Sequence, residues 1–190
     1  MNIAVTQTAE GLPRRAFTVK DVLRMVDAGI LGHDERFELI GGEIVPMSPK
    51  GIRHERLKQW VAKRLFRDLP DGLEVIPETT LYLSDDTFIE PDFVVYPTNS
   101  GLENLSPETC LLAIEIADSS LSYDLGRKAG IYAQFGIREL WVMDVVAPRV
   151  VVHRKVNSNG FENISEITFE QTLEPTLLEG FTLDLSNYKV

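Results

Sequence analysis

Three ionisable residues stand where the surrounding sequence is built for burial. Asp92 follows Pro91, Glu115 interrupts the apolar run from Cys110 to Ala117, and Lys128 falls within an apolar helical stripe. An uncompensated charge in a core costs several kcal/mol or loses its ionisation, so such groups pair with one another or hold a metal ion. Two carboxylates and an ammonium on adjacent inward faces suit metal-assisted hydrolysis of a phosphodiester. That reaction needs compensation for charge building on the phosphoryl oxygens, and a deprotonated water. Mg²⁺ supplies both when one or two carboxylates hold it and water fills its other positions. Asp92 and Glu115 are then the expected metal ligands, and Lys128 the cation that orients the attacking water or stabilises the pentavalent state. Hard oxygen donors select Mg²⁺, or Mn²⁺ as its substitute, over zinc.

Each residue also has a plainer account. Pro91 belongs at an edge or bulge of a strand spanning 88–96, where alternation puts Glu90, Asp92, Val94 and Tyr96 on one face; the alternative is a Pro-Asp turn open to water. Glu115 alternates with Leu111, Ala113 and Ala117, while Leu112, Ile114 and Ile116 fill the other face. This strand is buried on both sides, and the alternative is a lone ion pair. At about 100° per residue Lys128 shares its stripe with Leu125, Ala129, Ile131, Tyr132 and Phe135. Otherwise Lys128 snorkels past Tyr132 to solvent or neutralises Asp124.

The elements that position these groups follow from local pattern. Residues 17–28 read as a helix capped by Thr18 with Asp21 three residues on, and stopped at Gly29. Phe37–Ile40 and Glu43–Met47, joined by Gly41-Gly42, read as a hairpin. A basic helix follows over 50–69, then strands over 73–83, 88–96 and 111–117, a helix over 122–135 and a strand over 139–145. The remaining segment is strand-like with Asn/Gly turns. With no internal repeat, this describes a flexible N-terminal arm at 1–16 and one α/β domain at 17–190, a mixed sheet flanked by helices with a β-rich tail.

The 190 residues hold one cysteine and carry a net charge of -10. Cys110 has no disulfide partner and reads as a small core residue. No long uncharged apolar run or secretory start is present, so a cytoplasmic protein with no membrane partner is expected. The acidic balance opposes broad attraction to nucleic acid, yet residues 50–69 hold seven of the nineteen Lys and Arg residues against two acids. Arg53, Arg56, Lys63, Arg64 and Arg67 fall within an arc of roughly 100°, either a phosphate-tracking stripe or a solvated amphipathic face. His33, His54 and His153 lack zinc-site spacing, and there is no serine elbow, phosphate loop or dinucleotide fingerprint.

The segments Phe37–Ser48, His54, Pro77-Glu78, Pro91-Asp92, Ala113–Ile116, Tyr123–Lys128, Tyr132, Gly136 and Glu139–Asp144 together resemble the Uma-type restriction endonucleases, a branch of the PD-(D/E)XK nuclease superfamily. The resemblance covers about residues 17–185 and implies a restriction-endonuclease-like core, a bound divalent metal and DNA as substrate. Asp92 matches the acid of the PD element and Glu115 the second carboxylate. Two departures stand out: Ala117 occupies the superfamily's usual lysine position, its role passing to Lys128, and Ala117-Asp118-Ser119-Ser120 replaces a Ser-Pro-Ser-Thr-like turn.

Glu78, Glu43 and His54 are further candidates. Glu78 either reaches the same metal or faces solvent; Glu43 has the character of a surface residue. His54 lies on the inward side of its helix, as a core histidine or a water or phosphate contact. The resulting expectation is a Mg²⁺-dependent endodeoxyribonuclease, in the form of a homodimer if both strands are cut. The competing expectation is a catalytically inactive homodimeric binding module that keeps the nuclease architecture.

Overall fold

The computed structural model describes residues 5–7 and 11–189. Residues 1–4 and 8–10 of the expected arm, and residue 190 at the end of the expected domain, lie outside them. The chain forms two compact units, Met1–Ser48 with Thr80–Glu90, and Pro49–Thr79 with Pro91–Val190. No helix among the described residues is long and apolar enough to cross a membrane.

The first unit begins with a short antiparallel ladder of β1 (Val5–Gln7) and β2 (Pro13–Arg15). Helix α1 (Val19–Asp27) starts at the capping box read from the sequence: Thr18 Oγ1 accepts from the Asp21 N–H, and Asp21 accepts from the Thr18 N–H. The hairpin of β3 (Phe37–Ile40) and β4 (Glu43–Pro46) turns on Gly41 and Gly42, with φ of 57° and 79°. Positive φ at both positions is what a two-residue turn with this twist demands and what glycine permits. Strands β6 (Leu81–Ser84) and β7 (Thr87–Ile89) complete a sheet of order β4-β3-β7-β6. Val22, Phe37, Leu39 and Phe88 form its core.

The second unit opens with α2 (Ile52–Asp68), followed by β5 (Leu73–Pro77), β8 (Phe93–Pro97) and β9 (Leu112–Ala117). A helical segment then leads to β10 (Glu139–Asp144), and β11 (Arg149–Asn157) and β12 (Gly160–Thr168) follow as a long hairpin. The six-stranded sheet has order β12-β11-β10-β9-β8-β5. It is mixed: β9 and β10 run parallel, and the helical segment makes the crossover that parallel neighbours require. Leu57, Val61 and Leu65 of α2 enter a core with Phe93, Val95, Leu112, Ile114, Ile116, Trp141 and Met143. β13 (Thr172–Leu173) and β14 (Leu183–Asp184) close the chain as a small ladder.

Two expected strands are each divided. The run 73–83 becomes β5 and β6, and the run 88–96 becomes β7 and β8, with the halves in different sheets. Pro77 and Pro91 explain where the breaks fall, since neither supplies a ladder N–H and each restricts the preceding residue. Glu78, just past Pro77, has φ of 50°, a left-handed conformation that turns the chain out of extension. The alternation drawn through Glu90, Asp92 and Val94 therefore does not operate: Asp92 lies in the break ahead of β8.

The crossover helix also departs from the regular stretch expected over 122–135. It comprises α3 (Leu121–Tyr123), a π-helical turn (Asp124–Lys128) and α4 (Ala129–Gln134). Cys110 is buried as expected, and burial pushes its thiol up to about 12.

Candidate active site

The antiparallel ladder of β8 and β9 pairs Val94 with Ala113 and Phe93 with Ile114. Continued by one residue, that register sets Asp92 opposite Glu115. The Ile116 N–H donates to Asp92 Oδ2 at 2.8 Å, so the carboxylate is tied to the strand that carries Glu115. His54, from the first turn of α2, brings Nε2 to the same oxygen at 3.2 Å. The other oxygen, Oδ1, accepts from Lys50 Nζ at 2.8 Å. Asp92 is 4% exposed. Burial alone pushes its carboxyl toward protonation, but the His54 ring and the Lys50 ammonium outweigh that effect and hold it below the usual carboxylate range. Asp92 is therefore ionised at neutral pH.

Glu115 is met from the crossover helix. Lys128 Nζ lies 2.8 Å from Glu115 Oε1, and the Tyr132 hydroxyl donates to the same oxygen. Spacing of four residues stacks Lys128 and Tyr132 on one helical face. The π-helical turn carries one more residue per hydrogen-bonded ring than an α-helix, with the Ala129 N–H reaching back to the Asp124 carbonyl, and Lys128 is its last residue. Asp124 is buried inside this turn and accepts from Ser120 Oγ at 2.6 Å. The ammonium expected to meet both acids thus pairs with Glu115, while a different lysine, Lys50, meets Asp92.

Glu78 belongs to the Asp92 network. Its N–H donates to the Asp92 carbonyl at 3.2 Å, and Oε1 accepts from Lys50 Nζ at 2.6 Å and pairs with Lys58 Nζ at 3.1 Å. Burial opposes ionisation of Glu78, but Lys50 and Lys58 more than compensate and hold its carboxyl below the ordinary value. Lys58 also pairs with Glu55, whose Oε1 faces His54 Nδ1 at 3.2 Å. Beside this network opens a cleft of about 470 Å³, lined by Glu55, Arg56, Lys58, Gln59 and Glu78 with apolar walls from Ile52, Ala62, Pro77 and Phe93. Glu43 lies in the first unit on β4, where it pairs with Arg14 at 3.6 Å.

Among the described residues no three His, Cys, Asp or Glu side chains gather as a metal-binding group. A metal here would rest on two carboxylates with water in the remaining positions, a mode that suits Mg²⁺. Asp92 and Glu115 fit that role in chemistry: both are buried hard oxygen donors, and the Ile116 N–H ties Asp92 to the strand that carries Glu115. Lys50 Nζ marks a point where two carboxylates, Asp92 and Glu78, already hold a positive charge.

The basic stripe lies on the exposed side of α2, but its members differ in what surrounds them. Arg53 pairs with Asp118 at 2.9 Å. Arg64 and Arg67 both engage Asp68 at 2.6 Å, and Arg64 also lies over the Trp60 ring. Those two arginines depress the Asp68 carboxyl well below its usual range. Among the described residues, Arg56 and Lys63 have no carboxylate partner and are exposed. Trp60, on the same helix, is partly buried against Tyr188, with ring centroids 6.0 Å apart.

A family profile described as "Uma2: Putative restriction endonuclease" matches residues 19–186, nearly the whole chain. The chain belongs to this family. Among solved structures it is similar to one titled a "putative nuclease belonging to DUF820" from Anabaena variabilis ATCC 29413. The two share 14% identity at a TM-score of 0.71, over 90% of this chain and 96% of that one. At that identity the likeness establishes a common fold, so the restriction-endonuclease-like mixed α/β architecture expected from sequence is the one found. No curated protein matches the sequence.

In this Uma2 chain, the candidates read from sequence, Asp92, Glu115, Lys128, Glu78 and His54, make contacts with Lys50, Lys58, Tyr132 and Glu55, which sequence reasoning does not name as their partners. Lys50 falls within the basic segment, and its place in the loop before α2 has no periodicity from which direction could be read. Tyr132 was legible in principle: it stands four residues after Lys128, on the same stripe.

Proposed function

We propose that this chain is a Mg²⁺-dependent endodeoxyribonuclease in which Asp92 and Glu115 are the metal ligands. The observation that carries the reading is a buried Asp92, held just ahead of β8 by the Ile116 N–H of β9, beside a buried Glu115 on β9 already paired with Lys128. When bound, Mg²⁺ would neutralise charge on the phosphoryl oxygens and lower the pKa of a water. The Lys128 ammonium, immobilised by Glu115, supplies N–H donors for charge that develops at the scissile phosphate. His54 and the Ile116 N–H keep Asp92 oriented by occupying Oδ2. Arg56 and Lys63 supply the solvent-facing charge for the phosphate backbone, with Arg53 beside them. In the overall reaction water attacks phosphorus, one P–O ester bond breaks, and the departing oxygen takes up a proton. A two-fold symmetric homodimer would present two such sites to the two strands.

The test is cleavage of supercoiled and linear DNA with Mg²⁺ or Mn²⁺ by the wild-type chain and by Asp92→Asn, Glu115→Gln and Lys128→Met. Loss of cleavage in all three folded variants supports the reading; wild-type-like cleavage by Asp92→Asn refutes it.

A second reading is favoured by the completeness of the protein's own contacts to Asp92, whose two oxygens accept from Lys50, His54 and Ile116. Such saturation suits a homodimeric binding module that keeps the architecture without turnover. Calorimetric titration with Mg²⁺ separates the two, because the module would give no Asp92-dependent heat.

A further inference from the structure

We infer that Lys50 is a built-in competitor for the divalent cation, its ammonium filling the cation position at Asp92 Oδ1 until a metal displaces it. This inference rests on the metal-dependent reading above. Its basis is the unequal way in which the two Asp92 oxygens are held. Oδ2 accepts from the Ile116 N–H and faces His54 Nε2. The first is backbone within a paired strand, and the second is a buried ring anchored in a helix, so neither can leave without disturbing the fold. Oδ1 is held by Lys50 Nζ at 2.8 Å. Lys50 precedes α2, outside any regular element, and its four-carbon stem can rotate away with the backbone unmoved.

Charge balance favours the same exchange. Lys50 neutralises Asp92 and Glu78 together, at 2.8 and 2.6 Å. Were it to depart alone, Asp92 would lose its one ammonium contact among the described residues; exchange for a dication restores that charge. Glu78 keeps Lys58 at 3.1 Å in either case. Glu115 needs no exchange from Lys50, since its own ammonium comes from the crossover helix. Lys50 thus keeps the Asp92 carboxylate compensated before metal arrives, and lowers metal affinity by the strength of that contact.

The experiment is calorimetric titration of the purified full chain with MnCl₂ alone, without DNA, comparing wild type with Lys50→Met, Lys50→Gln and Asp92→Asn. Methionine keeps an apolar stem of similar length and removes the charge; glutamine is a second neutral variant should methionine impair folding, and thermal melts check each protein. One opposite charge at this range changes a carboxylate's affinity for a proton by about one to three tenfold steps. Because the Lys50 side chain keeps 13% of its exposure, the lower end applies: Mn²⁺ binding tightens about tenfold in the neutral variants and disappears in Asp92→Asn. Binding seen only in the Lys50 variants would support the competitor role more strongly still. Equal or weaker binding by both folded Lys50 variants, with wild type binding normally, overturns this role and leaves the metal-dependent reading standing. No binding by wild type or by either Lys50 variant overturns both.

Discussion

Lys128 Nζ lies 2.8 Å from Glu115 Oε1, with both side chains almost wholly removed from solvent. Cutting one partner takes away the pair's charge compensation inside the core, at a cost of up to about 3–5 kcal/mol, whereas removing both charges leaves no such imbalance. Lys128→Met and Glu115→Gln should each destabilise the fold by that order, and the double variant by clearly less than their sum. Urea unfolding of the four proteins in a double-mutant cycle measures the coupling. Additive effects would mean that the pair is not formed in solution.

Asp92→Asn should behave differently. The amide keeps an oxygen for the Ile116 N–H and conserves volume, so far-UV and near-UV circular dichroism should stay native. Under the proposed function DNA cleavage should fall by about 10²- to 10³-fold, the range for loss of one electrostatic group at a reacting centre. Single-turnover assays at saturating Mg²⁺ distinguish this loss from weakened DNA binding.

The members of the basic stripe should contribute unequally to DNA affinity. Arg56 and Lys63 project into solvent without a carboxylate partner among the described residues, whereas Arg67 is held by Asp68. Each of Arg56→Ala and Lys63→Ala should lower the slope of log K against log salt by about one phosphate contact. Arg67→Ala should lower it less, since its charge is already balanced. Fluorescence anisotropy across a salt series, with the Asp92→Asn background preventing cleavage, reads this directly.

His153 sets an expectation for stability against pH. It is buried between β10 and β12, its ring 5.3 Å from Phe161 and its Nδ1 without a hydrogen-bond partner among the described residues, and burial lowers its pKa from the ordinary 6.5. A lowered folded pKa means that the unfolded chain takes up a proton near pH 6.5 while the folded chain does not. Stability is therefore full above that value and declines as pH falls toward the folded pKa. Urea midpoints taken from about pH 7.5 to about pH 5.5 should decrease, and His153→Phe should flatten the decrease. An unchanged slope in that variant would assign the effect to other groups.

Sequence alone determined which residues carry charge into the core. Glu115 and Lys128 break apolar patterns of period 2 and 3.6, and these periodicities follow from backbone geometry whatever the fold. The Thr18 capping box, the Gly41-Gly42 turn and the inward side of α2 that carries His54 were legible for the same reason: each depends on neighbours within about one helical turn or one hairpin. Tertiary structure decided the pairings. Pro77 and Pro91 marked interruptions, but only the assembled sheets divided each long strand and removed Asp92 from the alternation assigned to it. Which ammonium reaches which acid was likewise invisible, because Lys50 and Asp92 are 42 residues apart and Lys50 lies in a loop with no period. A pattern of local spacing gives a side chain's direction relative to its own element; its partner depends on how distant elements pack, which only the folded chain specifies.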